Sequence, residues 1–173
     1  MKKIAGLVLS LTIIAGVCAA VLAYVNVITR DAIAEVREKQ TLAAAQAVMP
    51  AEVVAVTGGA DGAPFVGKDA AGAVIGYAVT GAAGGYGGDV ELMVGFKSDR
   101  RTVVCYRTLK ATETPGLGMK LNEPAFTGQF AGKDGSALRV VKDGGDIVAI
   151  TSATITSRAV CGAIKAAFER LAK

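Results

Sequence analysis

The densest run of hydroxyls in this chain is Ile150-Thr151-Ser152-Ala153-Thr154-Ile155-Thr156-Ser157-Arg158-Ala159-Val160. A helix pattern opens directly from it. From Val160 the apolar positions recur as Ala163, Ile164, Ala167, Phe168 and Leu171, the three-and-four spacing of a helix lying on a core. Thr156 or Ser157 is well placed as the N-cap, because a short side-chain oxygen accepts from an otherwise unpaired backbone N–H. Lys165, Arg170 and Lys173 fall towards the far end, where cations suit the helix dipole. Hydroxyls, unpaired N–H groups and a positive dipole end therefore meet at one point, and such a point accommodates a phosphate. A Ser/Thr-rich cap without a ligand is the plainer alternative.

Two other stretches could approach a ligand. Gly84-Gly85-Tyr86-Gly87-Gly88 lies between two strand-like runs. Its glycines can reach positive φ and bring backbone close to a bound group. It lacks the Lys-Ser/Thr of a phosphate-gripping Walker loop and the strand–helix context of a dinucleotide fingerprint. In Glu113-Thr114-Pro115-Gly116-Leu117-Gly118, Pro115-Gly116 favours a type II turn, and Gly118 leaves room for backbone beside a ring. Taken singly, each stretch is also compatible with an ordinary turn.

Together, and in this order, the three stretches resemble the FMN-binding domain family. That family includes the G subunit of the Rnf electron-transport complex and the C subunit of the sodium-pumping NADH:quinone reductase. Thr151-Ser152-Ala153-Thr154 is similar to its Ser/Thr-Gly/Ser-Ala-Thr signature, and residues 113–118 match its Glu-Thr-Pro-Gly-Leu-Gly segment. The resemblance implies FMN attached through a phosphoester to Thr154, placed there by a flavin transferase that uses FAD and Mg. It implies a cofactor site of Thr151, Ser152, Ala153, Thr154, Ile155, Thr156 and Ser157, with Glu113, Thr114, Gly116, Leu117 and Gly118. Tyr86 and Gly87 would line the pocket, and the isoalloxazine would lie over the 113–118 turn. Amides of Thr156 and Ser157 would hold the phosphate oxygens. Two positions depart from the family pattern. Val148 stands where an acidic residue usually precedes the acceptor by six positions, and Ala111-Thr112 stand where relatives often carry a histidine.

Composition narrows the chemistry. With no histidine in 173 residues, His-based acid–base catalysis and His metal sites are excluded. No base stands beside Thr154 in sequence, and no clustered carboxylates suggest a metal site. Glu91, Glu113 and Glu123 are scattered and read as solvated. The formal charge of +4 comes without a basic stripe, so no nucleic-acid partner is expected. Cys18, Cys105 and Cys161 lack zinc or Cys-x-x-Cys spacing and read as free thiols in apolar surroundings, with a Cys105–Cys161 disulfide as the alternative.

The elements that must position these residues follow from the pattern. Lys2 and Lys3 precede an apolar run from Ile4 to Ile28, which as a helix extends about 37 Å, enough for a hydrocarbon core of about 30 Å. It is longer than the apolar core of a signal peptide. Residues 1–28 are therefore expected to be a transmembrane anchor in the lipid bilayer. Residues 29–50 are expected to be a helical stalk, with Glu35–Lys39 as an i,i+4 pair and Pro50 as its stop. Basic residues flank both ends of the span, so charge leaves its orientation open. The resemblance implies a plasma-membrane protein with its domain on the extracytoplasmic side. Residues 51–173 are expected to form that domain. A short strand over 52–56 and a loop over 57–64 come first. Hairpins follow over 65–80, 89–109 and 137–150, then a terminal helix. A further short helix is expected over 122–130, carrying Phe126 and Phe130. This pattern is the α+β class, an antiparallel sheet with helices on one face.

The function expected is that of an electron-transfer protein, inactive alone, working with the other subunits of an Rnf-type ferredoxin:NAD oxidoreductase coupled to ion movement. A subunit of the sodium-pumping quinone reductase or another flavin relay, and a non-redox extracytoplasmic binding domain, are the alternatives.

Overall fold

The computed structural model describes residues 2–59 and 63–172. The loop expected over 57–64 thus lies partly outside the described residues, as does Lys173. Contacts divide the chain into two compact units, Met1–Lys39 and Gln40–Lys173.

Helix α1 runs Lys2–Val48 and stops just before Pro50, which disfavours helix at the residue preceding it. Its apolar stretch is long enough to cross a membrane by length and composition. In the first unit Leu7, Val8, Leu9 and Val17, which point to four different sides of the helix, are all exposed. A helix apolar all round requires an apolar surrounding. Lys39 Nζ donates to Glu35 Oε1 at 2.7 Å, one turn apart.

The second unit is built on a five-stranded antiparallel sheet in sequential order. Its strands are β1 (Ala55–Gly58), β2 (Phe65–Lys68), β3 (Val74–Gly84), β4 (Asp89–Lys97) and β5 (Val103–Lys110). The β2–β3 turn forms because Asp69 Oδ1 accepts from the amides of Ala71 and Ala73 while Gly72 takes φ +82°. At the β4–β5 turn Asp99 accepts from the amides of Arg101 and Thr102. Alternation along β4 sends Val90, Leu92, Val94 and Phe96 to one face, and Met93 to the other.

The first face is covered by α3 (Thr154–Leu171), through Val160, Ala163, Ile164, Ala167 and Leu171. Each large aliphatic buried there stabilises the unit by roughly 1.5–3 kcal/mol. The helix comes close to the sheet because β3 offers Gly81: a Cβ there would stand 2.0 Å from the Ala163 carbonyl oxygen. The expectation of helices on one face needs correcting. Ala45 and Val48 from the last turn of α1, with Met49, pack on the other face against Phe65, Ala78 and Met93.

The expected third hairpin is also corrected. Residues 137–150 form no strands; a single parallel bridge joins Val140 to Ile147, around a 3-10 turn at Val141–Asp143. Gly144 takes φ +78° where the chain leaves that turn. The side chain of Gln129 substitutes for a strand partner, accepting from Val148 N–H at 2.8 Å and donating to Val148 O at 3.2 Å. The apolar residues that suggested strands, Leu138, Val140, Ile147 and Ile150, are buried all the same. The segment 122–130 contains the short helix α2 (Pro124–Thr127) and a 3-10 turn, which bury Phe126 and Phe130.

Candidate functional site

The site begins at the chain's entry into α3. Residues 150–153 form a turn closed by Ala153 N–H to Ile150 O at 2.9 Å. Within it Ser152 adopts φ +61°, a left-handed conformation that costs a non-glycine residue roughly 1–2 kcal/mol. Strain of this kind persists where the surroundings over-determine it, often at functional sites. Ser152→Gly is therefore expected to leave the fold intact and raise the thermal midpoint slightly, because the relieved strain exceeds the added chain entropy. A lowered midpoint in a thermal melt contradicts this.

The capping expectation is corrected here. The N-cap of α3 is Ala153, which has no side-chain cap. Thr156 and Ser157 lie inside the helix, both buried. Ser157 Oγ accepts from Ile150 N–H at 2.9 Å and donates to Ala153 O at 3.0 Å, so it stitches the turn from beneath. Ser157 N–H already bonds Ala153 O and is not available to a ligand. The amides that precede the helical ladder are those of Thr154, Ile155 and Thr156. The Thr154 side chain is half-buried, and no side chain among the described residues bonds its hydroxyl.

The Pro115-Gly116 turn is type II in character: Leu117 N–H bonds Thr114 O at 3.2 Å and Gly116 takes φ +75°. It leads into a 3-10 turn, Gly118–Asn122, fixed below by Tyr106, whose hydroxyl donates to Leu121 O at 2.5 Å. Burial pushes the Tyr106 phenol well up, so it stays protonated. Burial also pushes the Cys161 thiol up to about 11, which removes it as a nucleophile at neutral pH. Cys105 is a free thiol too, raised by its burial.

These segments enclose a cleft of about 480 Å³ lined by Tyr86, Glu113, Thr114, Leu117, Gly118, Ser152, Ala153, Thr154, Ile155 and Thr156. Stretches up to seventy residues apart in sequence thus share one wall. Thr151, Gly116, Gly87 and Ser157 stand outside the lining. Thr151 is on the exposed side of the turn, Gly87 lies against the Thr112 carbonyl, and Ser157 is beneath the floor. Glu113 is not solvated, contrary to the sequence expectation. It is 8% exposed, and its carboxylate accepts from Tyr86 N–H at 2.8 Å and from Thr156 Oγ1 at 2.9 Å. Exposed Tyr86, Leu117 and Ile155 give the cleft an apolar rim. Gln129, which holds the approach to the hydroxyl run, had no local signal in the sequence.

Ion pairs pin the loop that precedes the site. Arg158 grips Asp143 with two bonds of 2.7 and 2.6 Å, and Lys133 pairs with Asp146. Those cations hold both carboxyls below the usual range, and the Ser136 hydroxyl and amide bring Asp134 down to about 2. A folded-state pKa below the unfolded one gives stability that is complete above about pH 4 and lost as pH falls through the folded value. Acidification from about pH 4 to 2 should therefore loosen residues 131–150 first, read as hydrogen exchange of that segment. Uniform protection across this window contradicts the assignment.

The cleft suits a phosphorylated aromatic ligand. It has unpaired first-turn amides for an anion, a free hydroxyl, an apolar rim and a volume in the range of small-molecule sites. Among the described residues no group of His, Cys, Asp and Glu could hold a metal ion. Comparison with known proteins agrees with that geometry. Residues 85–169 match the FMN-binding domain, and residues 1–48 match the RnfG N-terminal region. The chain is 33% identical to the G subunit of the ion-translocating oxidoreductase complex of Methanosarcina acetivorans, over 97% of its own length and 94% of that protein's. It is 32% identical to the G subunit of the Na(+)-translocating ferredoxin:NAD(+) oxidoreductase complex of Acetobacterium woodii, over 94% of this chain and 89% of that one. Among solved structures, the C subunit of the Na(+)-translocating NADH-quinone reductase of Parabacteroides distasonis matches with a TM-score of 0.52 and 25% identity, over 64% of this chain; the chain spans 62% of that protein. Near-full-length similarity at this level places the chain in the family of G subunits of ion-translocating oxidoreductase complexes, with residues 85–169 as its FMN-binding domain.

Proposed function

We propose that this chain is a membrane-anchored flavoprotein that carries FMN on Thr154 and relays electrons as one subunit within an Rnf-type ferredoxin:NAD oxidoreductase complex. The observation that carries the reading is the state of Thr154. Of the hydroxyls on the first turn of α3, those of Thr156 and Ser157 are engaged with protein partners, while that of Thr154, a residue lining the cleft, has none among the described residues. A phosphoester at Thr154 Oγ1 would set the phosphate against the amides of Thr154, Ile155 and Thr156. Tyr86, Leu117 and Ile155 offer apolar surface to the ring.

When bound, FMN supplies the redox chemistry, and the protein's part is to position it and limit its access to water. The chain contains no histidine, and among the described residues no base is hydrogen-bonded to Thr154 Oγ1. Attachment would therefore depend on a separate flavin transferase. Val148, where the family usually carries an acidic residue, is exposed and offers such an enzyme no carboxylate. Residues 1–28 would be the anchor in the bilayer and 29–50 a stalk whose last turns join the core of the domain. The domain would lie on the extracytoplasmic side, with the other subunits of the complex as partners. Greater identity and coverage favour this reading over membership of a quinone reductase.

Intact-mass spectrometry of protein made with a flavin transferase tests the reading. The expected mass is that of the chain plus one FMN less water. An unmodified mass in fully matured protein overturns it.

A further inference from the structure

We propose that Glu113 is a positioning residue, a carboxylate cross-brace that locks the 84–88 loop and the first turn of α3 onto the 113–118 turn as one cleft wall. The inference rests on the cleft being the flavin site.

Glu113 is an unusual choice for its surroundings. It is 8% exposed, and among the described residues no cation pairs with it. A buried carboxylate without a cation carries a desolvation penalty that an apolar residue of similar size would avoid. Its oxygens are satisfied by one donor from each neighbouring segment. Oε1 accepts from the Tyr86 amide at 2.8 Å, and Oε2 accepts from the Thr156 hydroxyl at 2.9 Å. The partners are 27 residues before it and 43 after it, so the bonds tie the β3–β4 loop and the start of α3 to the segment that follows β5.

Space has been cleared around the same group. A Cβ on Gly85 would stand 2.3 Å from Oε1, and one on Gly118 would stand 2.5 Å from Oε2 and 3.0 Å from Thr156 Oγ1. Gly85, which would also meet Gly88 O at 2.8 Å with a Cβ, and Gly118 thus leave the room that the carboxylate fills, while Thr156 gives it a donor. Local rules broken this way are expected at functional sites rather than in ordinary cores. The brace acts through others. It holds Tyr86 at the cleft mouth and fixes the turn of α3 that presents Thr154.

The full chain is prepared with and without a flavin transferase, as wild type and as Glu113→Gln, Glu113→Ala and Thr156→Val. Glutamine can accept from Tyr86 N–H through its oxygen and donate to Thr156 through its amide, so it keeps the brace while removing the charge. In transferase-free protein, the Tyr86 amide should exchange about tenfold faster or more in Glu113→Ala, since a bond to a charged acceptor is lost. It should stay slow in Glu113→Gln and in Thr156→Val, whose loss is on the other oxygen. In protein made with the transferase, intact mass should show FMN loading reduced several-fold in Glu113→Ala and in Thr156→Val, and restored in Glu113→Gln. Unchanged Tyr86 exchange in Glu113→Ala, or a Glu113→Gln variant as impaired as Glu113→Ala, overturns the brace. A wild-type chain that takes up no flavin overturns the proposed function instead, and the transferase-free exchange measurement still decides the brace.

Discussion

Thr154→Val is expected to abolish covalent flavin attachment while leaving the apoprotein's stability unchanged. Valine is nearly isosteric with threonine and lacks only the oxygen. That oxygen has no partner among the described residues, so its removal leaves no group there unsatisfied. The first helical position tolerates a β-branched residue, because the chain already places one there. Substitutions of this kind away from packing and networks fall within about 0.5 kcal/mol. Thr154→Ser keeps the hydroxyl at the same backbone position and should retain loading, though with a less fixed oxygen, since the methyl that restricts χ1 is gone. The pair is read by in-gel flavin fluorescence under denaturing conditions, with a thermal melt of the apoproteins alongside. Fluorescence persisting in Thr154→Val would place the link elsewhere. A large fall in its melting point would show that the hydroxyl has a structural role.

Phe130→Ala should have the largest effect on stability. Phe130 is fully buried and makes edge-on contacts with Tyr106 and Phe126, each at 5.3 Å between ring centres. Losing a buried phenylalanine costs about 3–5 kcal/mol from transfer and cavity terms, and aromatic pairs add about 0.5–1.5 kcal/mol each. A domain of this size typically has only about 5–15 kcal/mol in total. The loss would also reach the site. Tyr106 packs on Phe130 and donates to Leu121 O, three residues past Gly118 in the floor of the cleft. Denaturant unfolding of the apoprotein should show a fall in unfolding free energy of that order, together with faster exchange over 118–122. A shift below about 1 kcal/mol would mean the aromatic cluster does not carry the 118–130 segment.

What could be read from the sequence was what local chemistry determines. The 69–72 turn is made by an aspartate and a glycine within four residues of each other, and the Pro115-Gly116 turn by two adjacent ones. The stripe of α3 was visible because its period belongs to one helix. The alternating strands β2 to β5 were visible for the same reason. Where the expectation failed, distant partners decided the outcome. Residues 137–150 have a strand-like pattern, but Gln129 takes the backbone groups of Val148 that a neighbouring strand would have taken. Ser157 looked like a cap because a short hydroxyl near a helix start usually is one. Its true position depends on Ile150 N–H, which folds under the helix rather than ahead of it. Glu113 looked solvated because nothing within its own segment bonds it, and both donors come from far along the chain. The order of the three motifs suggested a common site, while the bonds that join them became apparent only in three dimensions.

The most direct measurement is a peptide map of the mature protein. Trypsin cutting after Lys142 and Arg158 releases Asp143–Arg158, which contains every hydroxyl of the signature. Fragmentation of that peptide should place one FMN less water on Thr154, with Thr151, Ser152, Thr156 and Ser157 unmodified. A bare Asp143–Arg158 peptide, or a flavin localised to any other residue, would contradict the account.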